Sequence, residues 1–289
     1  MILLDFSQTF HKSLARHLYE LKANGMEPII NPDKVRELIL SSILSYVTKH
    51  KKTYGDLIIV CDDKNFWRKD IFPFYKAKRK EKREESDIDW AVAFKVLNDI
   101  LEELVTYFPY RVMKIENTEA DDIIGVICYT YGKQLGGDPI LIISADEDFG
   151  ALQIFSNVKQ YDPIQKKDIV IGNPTAFLKE KIIRGDKGDG IPNFLMPDDT
   201  FINGIRQKPI RDIKVLEWLE QDPEEFCDEE TINNYRRNER LIDLSFIPDD
   251  IKEKVIFNFE QEHNKSRGKI FNYFIKHNLK SLLAQIQEF

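Results

Sequence analysis

Nine acidic side chains stand where carboxylates could hold metal rather than solvate a surface: Asp5, Asp63, Glu119, Asp121, Asp122, Asp146, Asp148, Asp186 and Asp189. Carboxylates gathered in one place repel, and burying them without compensation raises their pKa and costs stability. A cation is therefore expected. An all-oxygen ligand set without His or Cys suits a hard ion, Mg²⁺ or its substitute Mn²⁺, and nine acids exceed what one small octahedral ion can use. Two Mg²⁺ are the expected cofactors. A pair about 4 Å apart activates water, binds phosphate oxygens and stabilises the departing oxygen of a phosphodiester. Singly, each acid also fits a helix cap or turn, Thr118-Glu119-Ala120-Asp121 above all. Asp62 is expected to be a solvent-facing neighbour of Asp63.

A second constellation is basic. Lys76-Ala77-Lys78-Arg79-Lys80-Glu81-Lys82-Arg83-Glu84-Glu85 is a charge run that by itself need only solvate a helix face. Phe66-Trp67-Arg68-Lys69 and Phe72-Pro73-Phe74-Tyr75 precede it, interleaving stacking surfaces for bases with charges for phosphates. We read Phe66 and Phe72 as core, and Tyr75 and Lys76 as functional, with Lys78, Arg79, Lys80 and Arg83 extending a single-strand gateway.

The elements that must position these groups follow from apolar patterning. Ile2-Leu3-Leu4, Leu57 to Val60, Val112 to Ile115 and Ile140 to Ile143 are short runs rich in branched residues and read as buried strands. Helical patterns lie between them, over Val35 to Val47, Asp87 to Tyr107 and Ile123 to Leu135. Such alternation predicts an α/β fold with a mainly parallel central sheet flanked by helices. A hairpin is expected around Gln160 to Ile171, then a helix capped by Asn173-Pro174 and a helical C-terminal region. The expected division is 1–172, an α/β core with a basic insertion at about 64–90, and 173–289, a helical region. Asp5, Asp63, Glu119 to Asp122, and Asp146 with Asp148 each follow a strand. The carboxyl ends of parallel strands share one edge, so acids distant in sequence converge there. Asp186 and Asp189 lie on the glycine-rich Gly185-Asp186-Lys187-Gly188-Asp189-Gly190 turn, which can bring them to a neighbouring site.

Composition excludes several classes. The 289 residues carry 42 basic and 49 acidic side chains, a net charge of −7, which argues against a polyanion partner until the nine acids are set aside and the remainder is near neutral. No apolar run approaches the roughly 18 residues of a membrane span, and no basic leader precedes Asp5. Three scattered cysteines give neither a disulfide framework nor a zinc clip, so a reducing cytoplasm is the expected location. The five histidines share no ligand spacing. Asp148-Phe149-Gly150 lacks the partners of a kinase metal motif, and Arg184-Gly185-Asp186 is a chance tripeptide.

In order, Leu4-Asp5-Phe6-Ser7, Phe74-Tyr75-Lys76-Ala77-Lys78-Arg79, Glu119-Ala120-Asp121-Asp122, Ser144-Ala145-Asp146-Glu147-Asp148-Phe149 and Gly185-Asp186-Lys187-Gly188-Asp189 resemble the motifs of the flap-endonuclease-type 5′-nucleases. Leu241-Ile242-Asp243, Phe246-Ile247-Pro248-Asp249 and Arg267-Gly268-Lys269-Ile270-Phe271 extend the likeness toward the phage ribonuclease H branch of that family, over nearly the whole chain. The resemblance implies the 5′-nuclease (PIN-like) fold. It also implies a Mg²⁺-dependent 5′ to 3′ exonuclease acting on RNA·DNA hybrid, duplex DNA and flaps in lagging-strand primer removal, in the host cytoplasm if phage-encoded. By matching motifs, Asp5, Asp63, Asp121 and Asp146 would hold the first ion, helped by Glu119 and Asp122, and Asp148, Asp186 and Asp189 the second. Lys76 would polarise the scissile phosphate with Arg79 assisting, Tyr75 would stack on the terminal base, and the basic segment would arch over the 5′ strand.

Two departures qualify the likeness. The chain opens directly on its first strand, without the extension some relatives use to reach a sliding clamp. Beyond Asp189, Ile191-Pro192-Asn193-Phe194-Leu195-Met196-Pro197 replaces the family's glycine-rich helix-hairpin-helix, so duplex contacts would rest on Arg206, Lys208 and Arg211. A single-strand DNA-binding protein is a further candidate partner. The alternative reading is a non-catalytic structure-specific DNA-binding replication protein.

Overall fold

The computed structural model describes residues 1–133, 135–263 and 265–289. Strands β1 (Ile2–Asp5), β2 (Leu57–Val60), β3 (Arg111–Met113), β4 (Ile140–Ile143), β5 (Val158–Asp162) and β6 (Lys167–Ile169) form one sheet in the order β3-β2-β1-β4-β5-β6. All neighbouring pairs are parallel except the β5–β6 hairpin. The order reverses direction between β1 and β4, the crevice where ligands bind in open α/β sheets. Asp5 ends β1 and Asp146 lies three residues beyond β4, so both flank that crevice.

The strands are apolar on both faces because both are covered. Ile2, Leu4, Leu57, Ile59, Leu141 and Ile143 face one core, packed by α1 (Phe6–Ala23), α2 (Pro32–Tyr54) and, after the short α3 (Arg68–Ile71) and α4 (Arg79–Glu84), by α5 (Trp90–Tyr107). Leu3, Ile58, Val60, Ile140 and Ile142 face the other, under α6 (Ala120–Tyr131) and a 3₁₀ helix over Glu147–Ile154. The period-two alternation of a strand thus splits one run between two cores. β3 ends at Met113, two residues before the end expected for it, and the chain turns through Asn117 in the left-handed region, φ 62°. The helix expected to reach Leu135 ends at Tyr131; Gln134 lies outside the described residues.

The C-terminal helices are α7 (Pro174–Arg184), α8 (Asp212–Leu219), α9 (Pro223–Phe226), α10 (Glu229–Ile242), α11 (Asp249–Glu260), α12 (Ile270–Lys276) and α13 (Lys280–Leu283). Asn173 caps α7 through its side chain to Ala176 N, with Pro174 at the first position, the arrangement read from the sequence. Helices α7, α8 and α10 share a small core around Phe194 and Tyr235, whereas Ile251 and Val255 of α11 pack on one sheet face and Ile270, Phe274 and Phe289 on the other. The chain leaves the sheet at α7 and returns to it after Asp243. Between α7 and α8, residues 185–211 form a long loop rather than a hairpin of helices.

A candidate divalent-metal centre and its flanking cations

Asp5 sits at the turn from β1 into α1, where its Oδ1 accepts from Gln8 N at 3.0 Å as an N-cap. Its Oδ2 accepts from the Ser144 hydroxyl at 3.0 Å, and that oxygen in turn accepts from Asp146 N at 3.1 Å. Gln8 Oε1 accepts from Ala145 N, and Gln160 Nε2 donates to the Ser144 and Asp146 carbonyls. One network thus fixes the ends of β1 and β4 against each other. Burial, together with the charges of Asp62 and Asp146 and against these hydrogen bonds, pushes the Asp5 carboxyl up to about 7.

Carboxylate oxygens of Asp121, at the first turn of α6, and of Asp146 and Asp148 lie within 4.8 Å of one another. Asp121 is held well above the usual carboxylate range, first by loss of water and then by Asp146. Asp146 is also raised, by desolvation and by Asp189 and Asp186. Three converging carboxylate oxygens, two of them on carboxyls that burial and their neighbours hold above the usual range, form an all-oxygen donor set that fits a hard cation such as Mg²⁺ or Mn²⁺.

The other acids divide. Asp62 accepts from Ala120 N at 2.7 Å, and its charge reaches both Asp5 and Asp121. Asp63 accepts from Asn117 N at 3.1 Å, and backbone amides draw its pKa down. Of the pair, Asp62, expected to face solvent, is the one whose charge bears on both Asp5 and Asp121. Asp122 has both oxygens engaged, Oδ1 by Arg68 at 2.7 Å and Oδ2 by Glu119 N at 2.9 Å, and is wholly buried. It acts as a helix cap and counter-ion, the kind of role any one of the acids could have taken singly. Glu119 accepts from Arg68, Tyr75 and Lys76. Asp189 accepts from the Tyr75 hydroxyl at 2.8 Å and Arg79 Nη2 at 2.7 Å, and lies 3.3 Å from Lys76 Nζ; burial raises its pKa but these partners outweigh it and hold it low. Asp186 caps its own turn through Asp189 N at 3.0 Å.

The cations are as ordered as the acids. Lys76 adopts φ 55°, rare for a side-chain-bearing residue, and its N donates to Asp189 O at 2.7 Å. Gly190 makes this approach possible, since a Cβ there would stand 2.9 Å from Phe74 O. The Lys76 ammonium is enclosed between Glu119 and Asp189, whose charges outweigh burial and hold it protonated. Two cations carry roles the sequence reading did not give them. Arg68, noted only among the interleaved cations, is 2 % exposed and joins Asp122, Glu119 and the Leu241 carbonyl. Lys181, in the last turn of α7, pairs with Asp148 and lies 3.9 Å from Asp186. Its lysine-to-acid spacing, five residues before Asp186, was the available signal.

Tyr75 is 2 % exposed, packed with Phe72, Ile191 and Leu241. In this conformation it cannot stack on a base, contrary to the role the motif implied, because its hydroxyl is tied between Glu119 and Asp189. Phe72 is core as expected, with Phe66 packed against it. Lys78, Lys80 and Arg83 lie on or beside α4, which buries no side chain. Arg206, Lys208 and Arg211 are exposed on the 185–211 loop, away from any ion pair among the described residues.

Residues 2–182 match the family described as 5′-3′ exonuclease, N-terminal resolvase-like domain, and residues 172–289 match T4 RNase H, C terminal. The chain is 36% identical over 270 residues to Ribonuclease H of Enterobacteria phage T4, covering 90% of this chain and 88% of that protein. Among solved structures, the T5 5′-exonuclease with bound divalent zinc ions superposes with TM-score 0.57 at 18% identity, covering 90% and 98% of the two chains. The bacteriophage T5 flap endonuclease in complex with DNA and metal ions gives 0.56 at 18%, covering 90% and 99%. These likenesses agree with the fold of a six-stranded, mostly parallel sheet with a helical C-terminal region. By sequence and fold, the chain belongs to the 5′–3′ exonuclease family of nucleases.

Proposed function

We propose that the acidic edge hydrolyses phosphodiesters at the 5′ ends of RNA·DNA hybrid, duplex and flap DNA with two bound Mg²⁺ ions, removing primers during replication. The observation that carries this reading is the convergence of Asp121, Asp146 and Asp148 oxygens within 4.8 Å beside a permanently protonated Lys76. Asp121, Asp146 and Asp148 would hold the first ion, with Asp5 and Asp62 in reach; Asp186 and Asp189 would serve a second with Asp148. The ions, once bound, would activate water and neutralise charge on the phosphate.

The chain's own residues supply the rest. Lys76 cannot act as general acid, because its charge is locked by two carboxylates; it contributes a fixed positive charge toward a phosphate that displaces Asp189 from it. Arg79, half exposed and on Asp189, is placed to follow the same phosphate. The Ser144, Gln8 and Gln160 hydrogen bonds hold Asp5 and Asp146 in place, so little reorganisation accompanies binding. The exposed cations of α4 and of the 185–211 loop support backbone contacts on either side of the site.

Time-resolved digestion of 5′-labelled RNA·DNA, nicked DNA and flap substrates in Mg²⁺ and in EDTA tests the proposal. Release of 5′ products only with the divalent ion is expected; binding without cleavage in Mg²⁺ would overturn it in favour of a non-catalytic binding protein.

A further inference from the structure

The flank of the sheet under α1 and α2 carries a second concentration of positive charge. A groove of about 470 Å³ runs between α1, α2 and the β5–β6 turn. Lys12 and Arg16 enter it from α1, Lys49 from α2 and Lys166 from the turn, and no acidic side chain lines it. In a chain of net charge −7, four cations around an acid-free cavity are unusual. Their partners do not neutralise them. Lys12 Nζ donates to the Pro163 carbonyl at 2.7 Å, Lys49 Nζ lies 4.0 Å over the Tyr161 ring, and among the described residues only Arg16 of the four pairs with a carboxylate, Glu20 one turn along α1, at 2.8 Å. That pair is exposed and weak. Burial, then the charges of Lys166 and Arg16, depress the Lys12 pKa against Asp162, so the cations press on one another. Ser45, on the same face of α2 as Lys49, lines the groove with a hydroxyl that has no hydrogen-bond partner among the described residues.

We propose that this groove binds a second stretch of nucleic-acid sugar–phosphate backbone, continuous with the strand or duplex held at the acids; the assignment rests on the nuclease reading above. Geometry supplies the connection. Asp5 caps α1, so Lys12 and Arg16 stand about 10 Å and about 16 Å along the helix from the acidic edge, at about 1.5 Å per residue. That corresponds to roughly three to five nucleotide steps of about 3.4 Å. Lys12 also binds the turn at the carboxyl end of β5, the edge that β4 and its acids share. A backbone leaving the acids toward β5 meets the groove within that distance. Repelling cations there fall silent when phosphates enter, which releases counterions and makes affinity depend on salt.

The test compares Arg16→Gln/Lys49→Gln/Lys166→Gln with a charge-matched control, Lys214→Gln/Lys252→Gln/Lys254→Gln, on the full chain. Lys12 is left in place because it ties α1 to Pro163. Equilibrium binding of a nicked 40-base-pair duplex is measured in EDTA from low to moderate salt, and single-turnover cleavage in Mg²⁺ at saturating substrate. The groove variant is expected to lose affinity about tenfold and to reduce the slope of log K against log salt by about 2 to 3, with the control changing neither by as much. Equal effects in both variants, or an unchanged slope, would overturn the proposal. So would loss of inorganic triphosphate binding in the groove variant with duplex affinity intact, which would assign the groove to free polyphosphate. The nuclease reading is judged separately. Cleavage by the wild type with no slope change removes the groove alone; the slope change without any Mg²⁺-dependent cleavage keeps the groove and removes the nuclease.

Discussion

The Arg68 guanidinium meets the Asp122 carboxylate at 2.7 Å with both side chains out of solvent, and the same nitrogen lies 3.1 Å from Glu119. Arg68 reaches this position from a four-residue helix, and Leu241, at the far end of α10, accepts its remaining Nε proton. One buried cation therefore joins the acidic edge to the C-terminal helices. Removing one partner of a buried pair strands the other charge, at a cost of about 3–5 kcal/mol. Arg68→Met is expected to lower stability on that scale in EDTA, read by denaturant unfolding. Asp122→Ala should do likewise while leaving the affinity of the remaining sites for Mn²⁺ little changed. A variant at Asp122 with full stability and lost metal affinity would show it to be a ligand instead.

The raised carboxyl of Asp5 makes the metal-free protein sensitive to pH in a defined direction. Its folded pKa, about 7, exceeds the unfolded value of 3.8, so the folded state holds the proton more tightly. Stability from this group grows as pH falls through 7, is complete below 3.8, and is lost as pH rises. Asp121 and Asp146, also raised, act in the same sense. His11, His50, His263 and His277, whose pKa values burial lowers, oppose it, and Asp63 and Asp189, both lowered, lose their contribution as pH falls toward the acid range. The comparison that isolates Asp5 is with Asp5→Asn. At pH 8 in EDTA the variant should be the more stable by about 4 kcal/mol, and the gap should narrow steadily as pH falls and largely close by pH 4. Saturating Mg²⁺ should reverse the order at pH 8. Melting temperatures at the two pH values, with and without metal, check all three.

Lys76 lies between Glu119 and Asp189 in a left-handed backbone conformation, an investment of local strain at the point where a phosphate would arrive. Lys76→Ala should reduce single-turnover cleavage by about two to three orders of magnitude through lost electrostatic stabilisation, with substrate affinity changed far less. An effect confined to KM would show that Lys76 binds substrate without stabilising the transition state.

The strands and the acidic edge were legible because both depend on local signals. Runs such as Leu57 to Val60 are too short and too branched for helices, and an acid after each run inherits the shared edge of a parallel sheet. What could not be read depends on single torsions or distant partners. Whether Asp62 or Asp63 faces the cluster is set by how the chain turns after β2, where Asp63 N donates to Thr118 O. Tyr75 looked accessible because its aromatic neighbours suggested a stacking ladder, but Leu241 and Asp189, each more than a hundred residues away, enclose it. Arg68 was hidden for the same reason: its three partners come from α6 and α10.

Lys181 offers the sharpest test of how the cluster is balanced. It pairs with Asp148, one of the three acids whose oxygens converge, lies near Asp186, and its charge also lowers the pKa of Asp146 against desolvation. A cation in that position competes with a metal ion for the same oxygens, yet it also keeps those oxygens ionised and ready. The two effects separate by pH. At pH 8, the less protonated end of the range, Lys181→Gln removes chiefly the competitor, and Mn²⁺ affinity in the absence of substrate should rise about tenfold. Toward pH 6 the raised carboxyls of Asp121 and Asp146 take up protons that compete with the ion, and the gain should shrink. Calorimetric titration of Mn²⁺ at both pH values reads this directly. Weaker binding at pH 8 would mean that Lys181 positions Asp148 rather than opposing the ion.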